Sequence, residues 1–259
     1  MSLFLAGVPV WLGALLVVIL PTLLAMCGPI LVRRRFSLER LTTNNEIAGF
    51  KFATVGVIYA VLLAFAIIIV WERFADAENA VVQEAGAAAT LYRLAQGSDP
   101  ESRAVRAALS DYLHLALTQD WPQMARVRAS PEVTRALDTL YARELALTRS
   151  GLQQQPVLVE MFHQLDNMTQ ARRARLHLAT GIVPGILWGV LVLGGVLTVG
   201  FTFFFGTRNL RAQVMMTGIL SIIVFMGLFV IVSINHPFTG PVHIDGEPLA
   251  AVLEDFGSR

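Results

Sequence analysis

Four stretches of this chain contain no Asp, Glu, Lys or Arg: 1–32, 52–70, 178–207 and 212–235. Each is long enough to cross a bilayer as a helix, which takes about 20 predominantly apolar residues. Runs such as Leu15-Leu16-Val17-Val18-Ile19-Leu20 do not alternate in polarity, as the short strands of a membrane barrel must. With 55% hydrophobic and only 15% charged residues, the chain reads as an all-α membrane protein. The first run is followed, not preceded, by its basic cluster Arg33-Arg34-Arg35 and is too long for a signal-peptide core, so it reads as a retained span with kinks at Pro21 and Pro29.

Between spans two and three lies an insert with 12 Arg and 13 acidic residues in 72–177. Its apolar positions recur at helical spacing, as in Val105, Leu109, Tyr112 and Ala116, or Val133, Leu137, Leu140, Tyr141 and Leu145. Asp99-Pro100 and Ser130-Pro131 read as helix starts, Trp121-Pro122 and Ser150-Gly151 as stops. From Trp71 the sequence continues through Phe74, Ala77, Val81, Glu84, Ala88, Leu91 and Ala95 at intervals of three and four. One helix from about residue 48 to about 96 is therefore expected, roughly 70 Å at 1.5 Å per residue. A helix from about Pro156, with Leu158, Phe162, Leu165 and Met168 inward, returns to span three and bends at Gly181, Pro184 and Gly185. The expected divisions are 1–71 for spans one and two, 72–177 for the extramembrane domain, 178–235 for spans three and four, and a turn-rich tail at 236–259 against the membrane.

Charge narrows both topology and function. Twenty basic against nineteen acidic residues leave +1, so there is no field to recruit nucleic acid. Arg33, Arg34, Arg35, Arg40, Lys51, Arg208 and Arg211 flank the short connections, against Arg73, Arg172, Arg173 and Arg175 on the other side. The positive-inside rule then puts the insert outside the bacterial cytoplasmic membrane. The spans hold no carboxylate relay of the kind a proton-coupled pump needs. No nucleophile elbow, phosphate loop or metalloprotease motif is present, so neither an enzyme nor a cofactor or metal site is expected.

The polar positions that remain are the candidate sites. Asn44, Asn45, Glu46 and Lys51 crowd the start of span two and, with Tyr59, could line an ion path in an oligomer, or merely cap and anchor a helix. Glu84 falls on the small-residue seam, as a gate or as the partner of an arginine. Arg172, Arg173 and Arg175 are candidates for anions or lipid head groups. Gly181, Gly185 and Gly189, four apart, could seat another helix closely, while Phe201, Phe203, Phe204 and Phe205 are expected to face lipid.

Several strings carry a resemblance: Asn44-Asn45-Glu46-Ile47-Ala48-Gly49, Tyr59-Ala60-Val61-Leu62-Leu63-Ala64-Phe65, Trp71-Glu72-Arg73-Phe74, Glu84-Ala85, Leu91-Tyr92-Arg93, Trp121-Pro122, Arg172-Arg173, Leu187-Trp188, Phe205-Gly206 and Pro237-Phe238. Over nearly the whole chain it resembles the bacterial bestrophin-like domain proteins. The resemblance implies kinship with bestrophins, homopentameric anion channels whose second membrane helix lines the pore and whose insert is cytoplasmic. No bestrophin-type calcium clasp carries over. The expectation is a passive homo-oligomeric channel in the lipid bilayer that passes a small inorganic ion, an anion by the resemblance, with span two as its pore helix. The alternative is a non-conducting sensor or interaction protein acting through the insert.

Overall fold

The computed structural model describes residues 9–43, 45–151, 154–240 and 242–257, and among these every regular element is helical. Four helices have the length and hydropathy to span a membrane: α1 (Val10–Arg35), α3 (Asn45–Leu94), α8 (Gly185–Phe201, prolonged by a 3-10 turn at Thr202–Phe204) and α9 (Leu210–Ile234). A short helix, α2 (Leu38–Thr42), separates the first two. The irregularity expected near Pro21 is a π turn at Leu15–Ile19, and Pro29 stays inside the α-helical run that follows. Membrane helices tolerate such prolines when local widening rehouses the orphaned carbonyls.

The 50-residue helix α3 is continuous, as the unbroken spacing through Trp71 predicts. The chain forms two compact units, and the passage between them, from Glu72 to Arg73, falls within this helix. The first unit contains α1, α2, the first part of α3, α8 and α9. Here α9 packs along α1, with Gly218 against the Met26 side chain.

The second unit is a helical bundle made of the rest of α3, α4 (Pro100–Leu115), α5 (Trp121–Met124), α6 (Pro131–Ser150), α7 (Gln155–Leu178) and α10 (Glu247–Gly257). Asp99 caps α4 by accepting from the Ser102 amide at 2.7 Å, and Ser130 caps α6 by accepting from the Glu132 amide at 3.2 Å. Gly151 ends α6 in the left-handed region at φ 66°, where a glycine is free of the Cβ penalty. One core holds Ala77, Val81, Ala88 and Leu91 of α3 together with Leu109 of α4, Leu140 of α6 and Leu165 of α7. Each fully buried leucine contributes about 1.5–3 kcal/mol, and the alanines of α3 let the other helices approach its backbone.

Several expectations change. Trp121-Pro122 does not stop the helix at once: a π turn at Ala116–Asp120, closed by the Trp121 amide donating to the Ala116 carbonyl, widens the helix ahead of Pro122 and carries it on into α5. Met161, fully buried, takes the inward position assigned to Phe162, which is only half-buried. α7 does not run into the third span; it ends at Leu178, Gly181 takes φ 92°, and Pro184 caps a separate α8. The tail is more than turns. It forms α10 in the insert's unit, with Leu249 buried and Phe256 stacked on Tyr92 at 3.7 Å between ring centroids.

Candidate functional site: the long helix and its polar residues

The polar start of α3 is engaged within its own chain. The Asn45 amide donates to the Gly206 carbonyl at 2.6 Å and accepts from the Gly206 amide at 3.0 Å. A Cβ on Gly206 would lie 2.7 Å from the Thr42 backbone nitrogen, so only glycine permits this approach. Asn45 thus latches the loop before α9 to the head of α3 and does not present a free amide to an ion. Arg33 strengthens the same corner by donating to the Thr207 carbonyl. Asn44 lies outside the described residues, whereas Glu46 and Lys51 are exposed.

Tyr59, read as a pore-lining residue, is turned into its own chain instead. It is 6% exposed, and its hydroxyl donates to the Leu191 carbonyl at 3.1 Å. Gly194 and Gly195 make room for this side chain, since a Cβ on Gly194 would come within 3 Å of its ring and one on Gly195 within 3 Å of its hydroxyl. These two glycines provide the close packing in α8, whereas Gly185 and Gly189 are exposed with no neighbour to meet an added Cβ. Gly181 instead lies against His236. Nor are the phenylalanines a lipid-facing group. Phe201 and Phe205 pack on Phe52 at centroid distances of 5.8 and 5.7 Å, Phe203 covers Gly28, and Phe204 alone is more than half exposed.

What α3 leaves uncovered is continuous. In its most apolar window only 17% of residues are buried, the lowest share among the four spans. Lys51, Thr54, Ile58, Val61, Phe65 and Ile69 are all exposed, and the series continues through Glu72, Asp76, Asn79 and Gln83. At 100° per residue these positions fall within about 100° of the helix circumference. The stripe is polar at its first end, apolar in its middle and acidic to amidic beyond. Among the described residues its one ion pair is a loose Arg73–Asp76 contact at 3.7 Å, exposed on both sides.

Glu84 and two of the three candidate arginines meet in the interior of the insert. Arg175 donates to Glu84 from Nε at 2.7 Å and from Nη2 at 3.0 Å, and the Tyr112 hydroxyl donates to the same carboxylate at 2.6 Å. Arg172 grips Asp120 through Nε at 2.8 Å and Nη2 at 3.2 Å, and Asp120 also accepts from the Ser130 amide. Arg175 reaches Asp120 at 3.5 Å and lies over the Trp121 ring at 4.5 Å. Two guanidinium groups and two carboxylates leave no net charge, and every member is nearly or wholly buried. Burial, reinforced by the Glu84 charge, holds the Tyr112 hydroxyl well above its ordinary range. Burial alone would lower the Arg175 value, but Glu84 overrides it and the group is held more firmly protonated.

This network corrects the readings of Glu84 as a gate and of Arg172 and Arg175 as sites for anions or head groups: their hydrogen-bonding capacity is taken by one another. Arg173, on the outer face, remains exposed. Asp120 and Tyr112 were not foreseen. A signal existed, because Arg172 and Arg175 continue the 4,3 spacing of the buried Met161, Leu165 and Met168. A second unforeseen carboxylate, Glu144 of α6, is fully buried, and neither oxygen has a hydrogen-bond partner. Burial pushes its pKa up to about 8.

A bacterial bestrophin homologue from Klebsiella pneumoniae, solved with zinc phasing, is 17% identical to this chain; at a TM-score of 0.70 the match covers 92% of this chain and 95% of that one. Two single-substitution forms of a homologue from the same organism give TM-scores of 0.72 and 0.73 at 17% and 16% identity, each match covering 93% of this chain and 96% of that chain. No curated protein sequence matches. The Bestrophin-like domain model matches residues 19–249. With its four spans, helical insert and that match over most of its length, the chain belongs to the bestrophin-like domain family.

Proposed function

We propose that this protein is a passive homo-oligomeric channel of the bacterial cytoplasmic membrane, with the exposed stripe of α3 from each subunit lining the pore. The observation that carries the reading is the uncovered face of α3, apolar at membrane depth and polar at both ends. Exposed Ala53, Ala60 and Ala64 lie on the adjoining flank, where small side chains let neighbouring copies of the helix approach. Ile58, Val61 and Phe65 then form an apolar constriction of the kind that gates by dewetting. Family membership and the fold shared with bacterial bestrophin homologues support a channel over a sensor.

Anion passage is what the family resemblance implies, and Lys51 is the stripe's one cation. A second reading, cation passage, is favoured by Glu72 and Asp76, because rings of carboxylates concentrate cations. Purified protein in planar bilayers under a salt gradient tests both. Current is expected, and the sign of the reversal potential selects the ion. Replacing Glu72 and Asp76 by Gln and Asn moves that potential toward anion preference if the stripe lines the pore. Flat traces across lipids and voltages overturn the channel reading.

We also place the insert outside the cytoplasm. Arg172 and Arg175 no longer count as interfacial charges, which leaves the cytoplasmic excess at the short connections larger than the sequence alone suggests. An Ala107→Cys variant in a Cys27→Ala background should label with an impermeant maleimide in spheroplasts. Protection until lysis reverses the orientation.

A further inference from the structure

In the membrane unit, a cavity of about 400 Å³ lies between the head of α3, the end of α8 and the first turns of α9. Phe52, Phe205, Met216 and Leu220 give it an apolar wall, and Thr202, Thr217 and Gln213 supply polar groups. Gln213 is 2% exposed. Its amide nitrogen donates to the Phe205 carbonyl, while its buried carbonyl oxygen has no partner. Such an oxygen accepts only, so the group that satisfies it must be an N–H or O–H donor. Met215, Met216 and Ile219 form an exposed apolar flank on α9 at this level, which makes the bilayer the source of any apolar body. Basic residues adjoin the lining in the chain: Arg33 donates to the carbonyl of the cavity-lining Thr207, and the exposed Arg208 and Arg211 lie one position after Thr207 and two before Gln213.

We propose that this cavity binds a membrane lipid with an anionic, hydroxyl-bearing head group: its hydroxyl donates to the Gln213 oxygen, its phosphate faces the arginines, and part of an acyl chain lies along Phe52 and Leu220. Basic pockets between membrane helices suit such head groups, and the buried acceptor adds a requirement that charge alone does not impose. The assignment concerns binding and stands whether or not the protein conducts.

Native mass spectrometry of the detergent-solubilised oligomer tests it, with titration against phosphatidylglycerol, phosphatidylmethanol and phosphatidylcholine. Phosphatidylglycerol has both features, phosphatidylmethanol keeps the single negative charge without any hydroxyl, and phosphatidylcholine lacks the hydroxyls and the net charge. Binding should be at least tenfold tighter for phosphatidylglycerol than for the other two. Gln213→Met should erase its advantage over phosphatidylmethanol, and Leu220→Trp, which fills the cavity while leaving the Gln213 hydrogen bond intact, should weaken phosphatidylglycerol binding at least tenfold without changing the oligomer. Equal binding of phosphatidylglycerol and phosphatidylmethanol overturns the hydroxyl assignment. Unchanged lipid binding in Leu220→Trp overturns the site, as does an oligomer that falls apart in that variant while lipid stays bound, since a second copy would then be the occupant.

Discussion

Raising the pH should loosen the insert through one side chain. Glu144 is fully buried with both oxygens unpartnered, and its folded-state pKa stands at about 8 against an ordinary 4.5. The folded state therefore holds a proton that the unfolded chain releases. The resulting stability is complete below pH 4.5 and is lost as pH rises, with the loss levelling off above about 8. Over that window the slope is about 1.4 kcal/mol per pH unit, so the total is at most about 5 kcal/mol. Amide hydrogen exchange of α6 peptides, corrected for intrinsic rates, reads this directly. Glu144→Gln keeps the size and polarity but carries no titrating proton. The ratio of wild-type to variant protection should fall about tenfold per pH unit between 5 and 8. A ratio that stays flat refutes the reasoning, because it means that the carboxylate has found water or a donor and is already ionised at low pH.

Three further substitutions probe the packing. Arg175→Met strands Glu84 in the core and should destabilise the insert by about 3–5 kcal/mol, whereas the double change with Glu84→Met restores much of the loss; chemical denaturation compares them. Gly206→Ala drives a methyl into the Thr42 backbone and breaks the Asn45 latch, so the melting temperature should fall by several degrees, as read by thermal aggregation in detergent. Tyr59→Phe removes one buried hydrogen bond and should cost about 1 kcal/mol with no change in ion selectivity, which planar-bilayer recordings would detect if Tyr59 faced the pore.

The spans were legible because charge is excluded from them, and the long helix because the spacing of Ala77, Val81, Ala88 and Leu91 continues that of span two without a breaker. The caps at Asp99 and Ser130 were legible because they act within three residues. The partners of Glu84 were not: Arg175 is 91 positions away, and nothing local distinguishes it from Arg173, which points outward. Trp121-Pro122 misled for a related reason. A proline forbids one hydrogen bond, but it does not say whether the chain ends the helix or widens the preceding turn. Glycines spaced by four suggested a packing face on α8, yet the tightest contacts in that helix form at Gly194 and Gly195, where the bulk of Tyr59 arrives from a distant element.

These placements sort the polar residues of α3 into two classes, and the distinction bears on function. Asn45, Tyr59 and Glu84 each have a partner inside the chain at hydrogen-bond distance, so exposing any of them to a pore would break a bond already formed. Lys51, Glu72, Asn79 and Gln83 are exposed on a helix face that the chain leaves uncovered. An exposed charge is stable as it stands, because water solvates it. Bringing several copies of that face together around a dry axis would desolvate Glu72 and Lys51 at considerable cost, whereas a water-filled axis keeps both hydrated. The same face is apolar between Ile58 and Ile69, so a hydrated axis would wet least readily there. In the proposed channel, an assembly built on α3 would therefore favour an aqueous path with one apolar stretch, because a sealed bundle would have to bury the charges at both ends.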